Sequence, residues 1–273
     1  MGSQPPTLTD GKQPSEPVGS TLDVGVGEAR RHIAVRERTG RAPGLFWLGG
    51  FGSDMLGTKA GALDSFAAEA GLAMVRFDYS GHGASSGRFE DGTITRWLEE
   101  ARVVFGHAAT RPSILVGSSM GGWIALLLAS ALRGTGQISG LVLIAPAVDM
   151  THDLMWQAMD ARARQALMTA GTIPIPGSGL PITRALIEDG ERHLFGSRLI
   201  EVGCPVTILQ GLKDTDVPYK HAERLVSRLG SDDVVLTLVK DGDHRLSRPE
   251  DLALLTAAVA RMVADHPAAP PAT

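Results

Sequence analysis

Apolar positions along this chain fall into two alternating rhythms. Short runs at residues 44–48, 72–77, 113–116, 141–146, 205–210 and 234–239 carry apolar side chains on both faces, as strands inside a covered parallel sheet do. Between them lie stretches of helical period. Residues 58–70 and 95–108 are amphipathic, the second with Trp97, Ala101, Val104 and Phe105 on one stripe, and further helices are predicted after residue 119 and over 218–229 and 248–265. Residues 22–26 and 32–38 read as two edge strands, the second alternating Ile33 and Val35 with polar neighbours. Strands alternating with helices imply a parallel sheet with helices on both faces. The rhythm breaks between 148 and 202. There, helical patterns over 151–170 and 182–194 flank Ile173-Pro174-Ile175-Pro176-Gly177-Ser178-Gly179, the pattern of a helical insertion forming a lid.

The predicted organisation is a core of residues 20–147 and 203–265, the insertion at 148–202, a disordered leader at 1–19 and a flexible tail at 266–273. A chain of 273 residues, 43% hydrophobic and 21% charged, can bury one sizeable core. A formal net charge of -4 offers no basic surface, so nucleic acid is excluded as a partner. The longest nearly apolar run, 123–132, stops at Arg133, well short of the roughly 18 residues of a membrane span, so no stable membrane insertion is expected. The leader has no apolar core and no arginine, and it contains Asp10 and Glu16, a composition that fits neither a secretory signal nor a transit segment. A cytoplasmic protein is therefore expected. The single cysteine, Cys204, rules out an internal disulfide and reads as a small buried hydrophobe.

Chemistry concentrates after the third of the apolar runs. Gly117-Ser118-Ser119-Met120-Gly121 matches G-x-S-x-G between an apolar strand and an apolar helix, the nucleophile elbow that lifts a serine, here Ser119, clear of the sheet. Glycine is abundant, and the same five residues also describe a plain Gly-Ser loop; the strand before and the helix after select the elbow. Such a serine needs a base and a carboxylate, here expected later in the chain just past strand ends. Asp214, in Gly211-Leu212-Lys213-Asp214-Thr215-Asp216, is the favoured carboxylate, with Asp216 held in reserve or capping the next helix. His244, in Gly242-Asp243-His244-Arg245, alone of the eight histidines meets the topological demand, and Ser247-Arg248-Pro249-Glu250 after it reads as a capping box. Oxyanion donors are expected from the backbone N–H groups of Phe51, in Gly49-Gly50-Phe51-Gly52, and Met120. Asp78 and His82, in Asp78-Tyr79-Ser80-Gly81-His82-Gly83, read as loop-shaping residues; one residue too many separates the glycines for a dinucleotide fingerprint. No H-E-x-x-H or comparable ligand set is present, so no metal site is expected.

Ser119, Asp214 and His244 in these settings, together with Arg76-Phe77-Asp78-Tyr79-Ser80-Gly81-His82-Gly83, resemble the α/β-hydrolase superfamily. The pattern is most similar to the esterase and thioesterase group that includes the animal mitochondrial palmitoyl-protein thioesterase. That resemblance, over residues 22–264, implies an α/β-hydrolase fold with an eight-stranded mostly parallel sheet. It also implies a serine hydrolase cleaving acyl esters or thioesters without a cofactor. A small molecule or an acylated protein is the expected substrate, and nothing in the sequence sets the subunit number. Met150, Leu154, Met155, Trp156 and Met159 lie at helical spacing in the insertion. Met155, Trp156 and Met159 are the candidate acyl-pocket residues, although the same stripe also suits the underside by which an insertion docks on the core. Two other readings stand beside this one. A serine peptidase or aminopeptidase would need an anionic site for a substrate amine, from Asp153, Asp160, Glu188 or Asp189, and a non-catalytic ligand-binding homologue would retain the fold alone.

Overall fold

The computed structural model describes residues 16–175 and 177–265. Eight strands form one sheet: β1 (Val18–Val24), β2 (Arg31–Arg38), β3 (Arg41–Leu48), β4 (Leu72–Phe77), β5 (Ser113–Ser118), β6 (Ile138–Ile144), β9 (Val206–Gly211) and β10 (Val234–Val239). Their order across the sheet is β1-β2-β4-β3-β5-β6-β9-β10, and only β2 runs against its neighbours. Strand alternation sends successive side chains to opposite faces. Leu45, Trp47, Ile114, Val116, Val142 and Ile144 meet α1 (Thr58–Ala70) and α7 (Pro249–Asp265) on one side. Phe46, Leu48, Leu115, Leu141 and Leu143 meet α2 (Ile94–Ala108), α3 (Met120–Ala131) and α6 (Tyr219–Val226) on the other. The stripe read in α2 is buried as expected, with Trp97, Ala101 and Val104 all at 0% exposure. Arg76, the one charged side chain in β4, is accommodated by Asp64 of α1, which it meets at 3.0 Å and which also takes two bonds from Arg38 at 2.9 and 2.8 Å.

Several boundaries differ from the sequence reading. β1 begins at Val18, within the stretch read as leader, and residues 1–15 and 266–273 lie outside the described residues. β2 is not an edge strand, because β4 crosses to its free side and pairs with it. Ser247 does not form the predicted capping box: its hydroxyl turns to the Arg245 carbonyl, and the Arg248 N–H finds Asp251 at 3.1 Å instead. Between β6 and β9 the expected long helix is broken. A π turn (Thr151–Trp156) is followed by α4 (Ala161–Ala170), because Asp160 caps a new helix by accepting the Ala163 N–H at 2.7 Å. Next comes a two-stranded hairpin, β7 (Thr172–Pro174) with β8 (Pro181–Thr183), and then α5 (Arg184–Gly190), capped by Thr183. Three-residue strands are too short to leave a period-2 signature, which hid the hairpin in the sequence. Buried Asp149 ties the start of this segment to its end by accepting the N–H groups of Phe195 and Gly196 at 2.8 and 2.9 Å.

Two helical glycines make opposite contributions. A Cβ on Gly121 would strike the Leu48 carbonyl, where α3 crosses the end of β3, whereas a Cβ on Gly61 in α1 meets nothing within 4 Å. Gly121→Ala is expected to lower stability by about 1–3 kcal/mol through overpacking. Gly61→Ala is expected to raise it by about 0.5–1 kcal/mol by restricting the unfolded chain. Urea unfolding midpoints of the two variants against the native chain check both signs.

Candidate active site

The C-terminal ends of the parallel strands place the chemistry-bearing loops along one rim. β5 ends at Ser118, and Ser119 is the turn itself, with φ 54° and ψ -119°. A serine at positive φ is strained, and here the surroundings over-determine it. Its N–H donates to the Ile144 carbonyl at 2.9 Å, while its own carbonyl accepts from Gly122 at 2.9 Å and Ala147 at 3.0 Å. The glycine at 117 is required as well, because a Cβ there would lie 2.5 Å from the Gly121 carbonyl oxygen.

His244 stands between Ser119 and Asp214. Its Nε2 lies 3.1 Å from Ser119 Oγ and its Nδ1 2.8 Å from Asp214 Oδ2. A carboxylate only accepts, so the ring proton sits on Nδ1 and the Nε2 lone pair faces the serine hydroxyl. The two loops that carry these partners are laced together: Leu212 N–H donates to the Val239 carbonyl and Lys213 N–H to the Gly242 carbonyl, both at 2.9 Å. Asp243 forms the turn that presents His244, its Oδ1 accepting the N–H groups of Arg245 and Leu246 at 3.0 Å each.

Asp214 is buried and fully hydrogen-bonded. Oδ1 takes the Asp216 and Val217 N–H groups at 2.9 and 2.8 Å, and Oδ2 takes the Gln210 side-chain amide at 3.0 Å beside His244. Burial pushes this carboxyl upward, but the bonds from His244, Val217 and Gln210, with the attraction of His244, outweigh it and hold the group below the ordinary carboxylate range. Asp216 caps nothing: Pro218 occupies the N-cap of α6 without a side-chain bond, and the Asp216 side chain is exposed. Gln210 was missed in the sequence, although a polar residue closing the buried run of β9 was a usable signal. Asp214, Asp216 and His244 offer ligand atoms within 4.8 Å of one another. Both Asp214 oxygens are already occupied by N–H donors, so the set suits hydrogen bonding to His244 better than a cation.

The loop after β3 runs beside the serine. Phe51 lines the same cavity as Ser119 and His244, and a Cβ on Gly50 would sit 3.4 Å from Ser119 Cβ. Met120 opens α3 directly after the serine. The cavity, of about 880 Å³, is walled largely by apolar residues from the segment between β6 and β9, including Met150, Leu154, Met155, Met159 and Ile182. Trp156 does not reach it. The π turn directs its ring to the Arg164 guanidinium, 5.0 Å from the ring centre, and into a small cluster with Leu167 and Ile187. Of the four carboxylates considered for an amine site, Asp160 alone lines this cavity among the described residues. Asp153 pairs with His152 and Arg224, Glu188 with Arg184, and Asp189 with Thr95. Burial pushes the Cys204 thiol up to about 12, leaving it inert. No helix among the described residues is long and apolar enough to cross a membrane.

Comparison with known proteins follows the same lines. The family model described as serine aminopeptidase, S33, matches residues 56–183, a span that contains the elbow and ends before Asp214 and His244. The palmitoyl-protein thioesterase ABHD10, mitochondrial, of Bos taurus is 33% identical over 82% of this chain and 74% of that protein. A crystal structure of an Agrobacterium vitis S4 protein designated a hydrolase is 49% identical, covers 91% of this chain and 100% of its own, and superimposes with a TM-score of 0.87. Alpha/beta hydrolase domain-containing protein 10 from mouse is 30% identical, with coverage of 90% and 99% and a TM-score of 0.82. The cytoplasmic location expected from the leader is overturned by these relatives, because the palmitoyl-protein thioesterases the chain matches are mitochondrial by name. With its eight-stranded sheet, its serine elbow and this degree of identity, the chain belongs to the hydrolase family of the α/β-hydrolase fold that includes the palmitoyl-protein thioesterases ABHD10.

Proposed function

We propose that the protein is a serine hydrolase that cleaves carboxylic esters and thioesters of medium or long acyl chains through an acyl-enzyme. One observation carries this reading: a single imidazole lies 3.1 Å from Ser119 Oγ and 2.8 Å from the Asp214 carboxylate. Ser119 Oγ attacks the acyl carbonyl while His244 Nε2 takes its proton, and Asp214 holds the proton on Nδ1 and stabilises the imidazolium. The backbone N–H groups of Phe51 and Met120 receive the negative charge that develops on the carbonyl oxygen, a contribution of about 10²-fold or more in rate for each donor. The imidazolium then protonates the departing thiol or alcohol. Water deacylates the serine by the same steps in reverse.

The acyl chain occupies the apolar cavity lined by Met150, Leu154, Met155 and Met159, and the segment between β6 and β9 acts as a lid over it. Two facts support an acyl group of some length. The cavity walls are dominated by aliphatic and thioether side chains, and the matched relatives are named for palmitoyl-protein substrates. A peptidase reading has less support, because the cavity is walled mainly by apolar side chains and, of the two carboxylates that line it among the described residues, Asp160 and Asp216, the first has an oxygen already capping α4.

Ser119→Ala is expected to lower turnover of a nitrophenyl acyl ester by about 10⁴-fold or more without shifting the thermal midpoint, and to abolish fluorophosphonate labelling. Across a series of nitrophenyl esters, kcat/KM is expected to rise with chain length by up to about fourfold per methylene until the cavity is filled, from about 0.8 kcal/mol per buried CH₂. A strict preference for acetyl overturns the acyl-pocket assignment. Asp214 stays ionised to lower pH in the folded chain than in the unfolded one, so its bonds contribute stability that is present above about pH 4 and lost as pH falls through its depressed folded value. Asp214→Asn is accordingly expected to cost about 10⁴-fold in kcat at neutral pH. Its deficit in urea-unfolding stability against the native chain should shrink below about pH 4.

A further inference from the structure

The loop that carries Phe51 has glycine at 49, 50 and 52, so its own backbone gives it little stiffness. An oxyanion donor is effective only if its direction is set before the charge develops. Two peptide planes meet at Phe51, and each is pinned by a different group. The Gly50 carbonyl accepts both the Ser53 N–H at 3.2 Å and the Ser53 hydroxyl at 2.8 Å. Because the peptide unit is planar and trans, holding that carbonyl also aims the Phe51 N–H at the other end of the same plane. The next plane is pinned through the Gly52 N–H, which donates to His82 Nε2 at 3.1 Å.

His82 itself has no freedom to respond. It is 4% exposed, and its Nδ1 faces the Ser80 carbonyl at 3.1 Å. A carbonyl only accepts, so Nδ1 carries the proton and Nε2 presents its lone pair to Gly52. The ring is wedged among Phe89, Trp97 and Tyr79, with centroids 5.0, 5.4 and 5.9 Å away. Phe89 and Trp97 also contact the Phe51 ring, at 4.8 and 5.9 Å. Burial holds the His82 pKa below the ordinary histidine value, which keeps the acceptor lone pair available. His82 does not line the cavity that holds Ser119 and His244, so it acts on the reaction only through the loop.

We propose that His82 is a positioning residue for the oxyanion hole: its Nε2 holds the Gly52 peptide so that the neighbouring Phe51 N–H is pre-aimed at the carbonyl attacked by Ser119. This rests on the hydrolase reading above. The role is distinct from that of a group merely filling the core, because it requires an acceptor at one point in space and not just a ring of the right size. The side chain of Leu180, from the hairpin of β7 and β8, fills the space where a Cβ on Gly52 would lie, so the loop touches the insertion as well as the core.

The test compares His82→Phe, which keeps an aromatic ring but removes the acceptor, with His82→Gln, whose amide oxygen can accept from Gly52. In the full chain acting on a nitrophenyl ester, His82→Phe should lower kcat by about 10- to 100-fold with KM within about twofold, a partial loss of one oxyanion donor. His82→Gln should recover to within about fivefold of the native kcat. The inhibition constant of a trifluoromethyl ketone, whose serine adduct places its oxyanion in the hole, should weaken in parallel with kcat/KM across both variants. If His82→Phe fails to fold, His82→Asn, too short to reach Gly52, takes its place with the same expected loss. Native-like kcat in either variant that loses the bond from Gly52, or ketone inhibition that does not track kcat/KM, overturns the positioning role while leaving the hydrolase reading intact. Absence of hydrolysis and of Ser119 labelling in the unaltered protein overturns both.

Discussion

Parallel strands deliver their C-terminal ends to one rim of a sheet, and the site depends on that constraint. Ser119 follows β5, Asp214 follows β9, His244 follows β10, and the glycine-rich loop follows β3. A serine and a histidine 125 positions apart are thereby brought to 3.1 Å. Register supplies the precision. β9 and β10 pair from Val206↔Val234 to Gly211↔Val239, and the bonds from Leu212 to Val239 and Lys213 to Gly242 continue that pairing into the loops. A carboxylate and an imidazole on two such loops do not have to find one another after folding, because the ladder beneath them has already set their separation.

The same logic explains why so much of the surrounding hydrogen bonding ends on backbone groups. Asp214 accepts two N–H groups of its own loop, Asp243 accepts two of the loop that presents His244, and Asp78 accepts the N–H groups of Met55 and Ala84 at 2.6 and 2.8 Å. Loops carry no ladder of their own, so acidic side chains provide the rigidity that strands obtain from pairing. The strained backbone at Ser119 belongs to this pattern, since the bonds to Ile144, Gly122 and Ala147 hold it against its local preference.

The segment between β6 and β9 stands apart from that frame. It is tied down at its two ends by buried Asp149 and packs through its own small cluster around Leu167, Ile182 and Ile187. Much of the apolar wall of the cavity comes from it, so the geometry around Ser119 and His244 and the shape of the adjoining cavity are set by different parts of the chain. Three methionines, Met150, Met155 and Met159, stand on that wall beside leucine and isoleucine side chains, and their flexible thioethers let its shape adapt.

Local signals made the frame legible in the sequence. The alternation of apolar runs with helical stripes, the elbow around Ser119, and the two loops holding Asp214 and His244 each occupy a handful of consecutive residues, where periodicity and turn chemistry are written directly. What spans long separations was not legible. The crossing of β4 to the free side of β2, the His82 bond to Gly52 and the turning of Trp156 away from the cavity all depend on which surfaces meet after the sheet closes. The hairpin of β7 and β8 escaped for the opposite reason, being too short for any period to register. Sequence by itself thus determined which residues sit at strand ends and so which side chains the rim can offer. Only tertiary packing decided which of them touch, because a contact is a property of two segments and periodicity is a property of one.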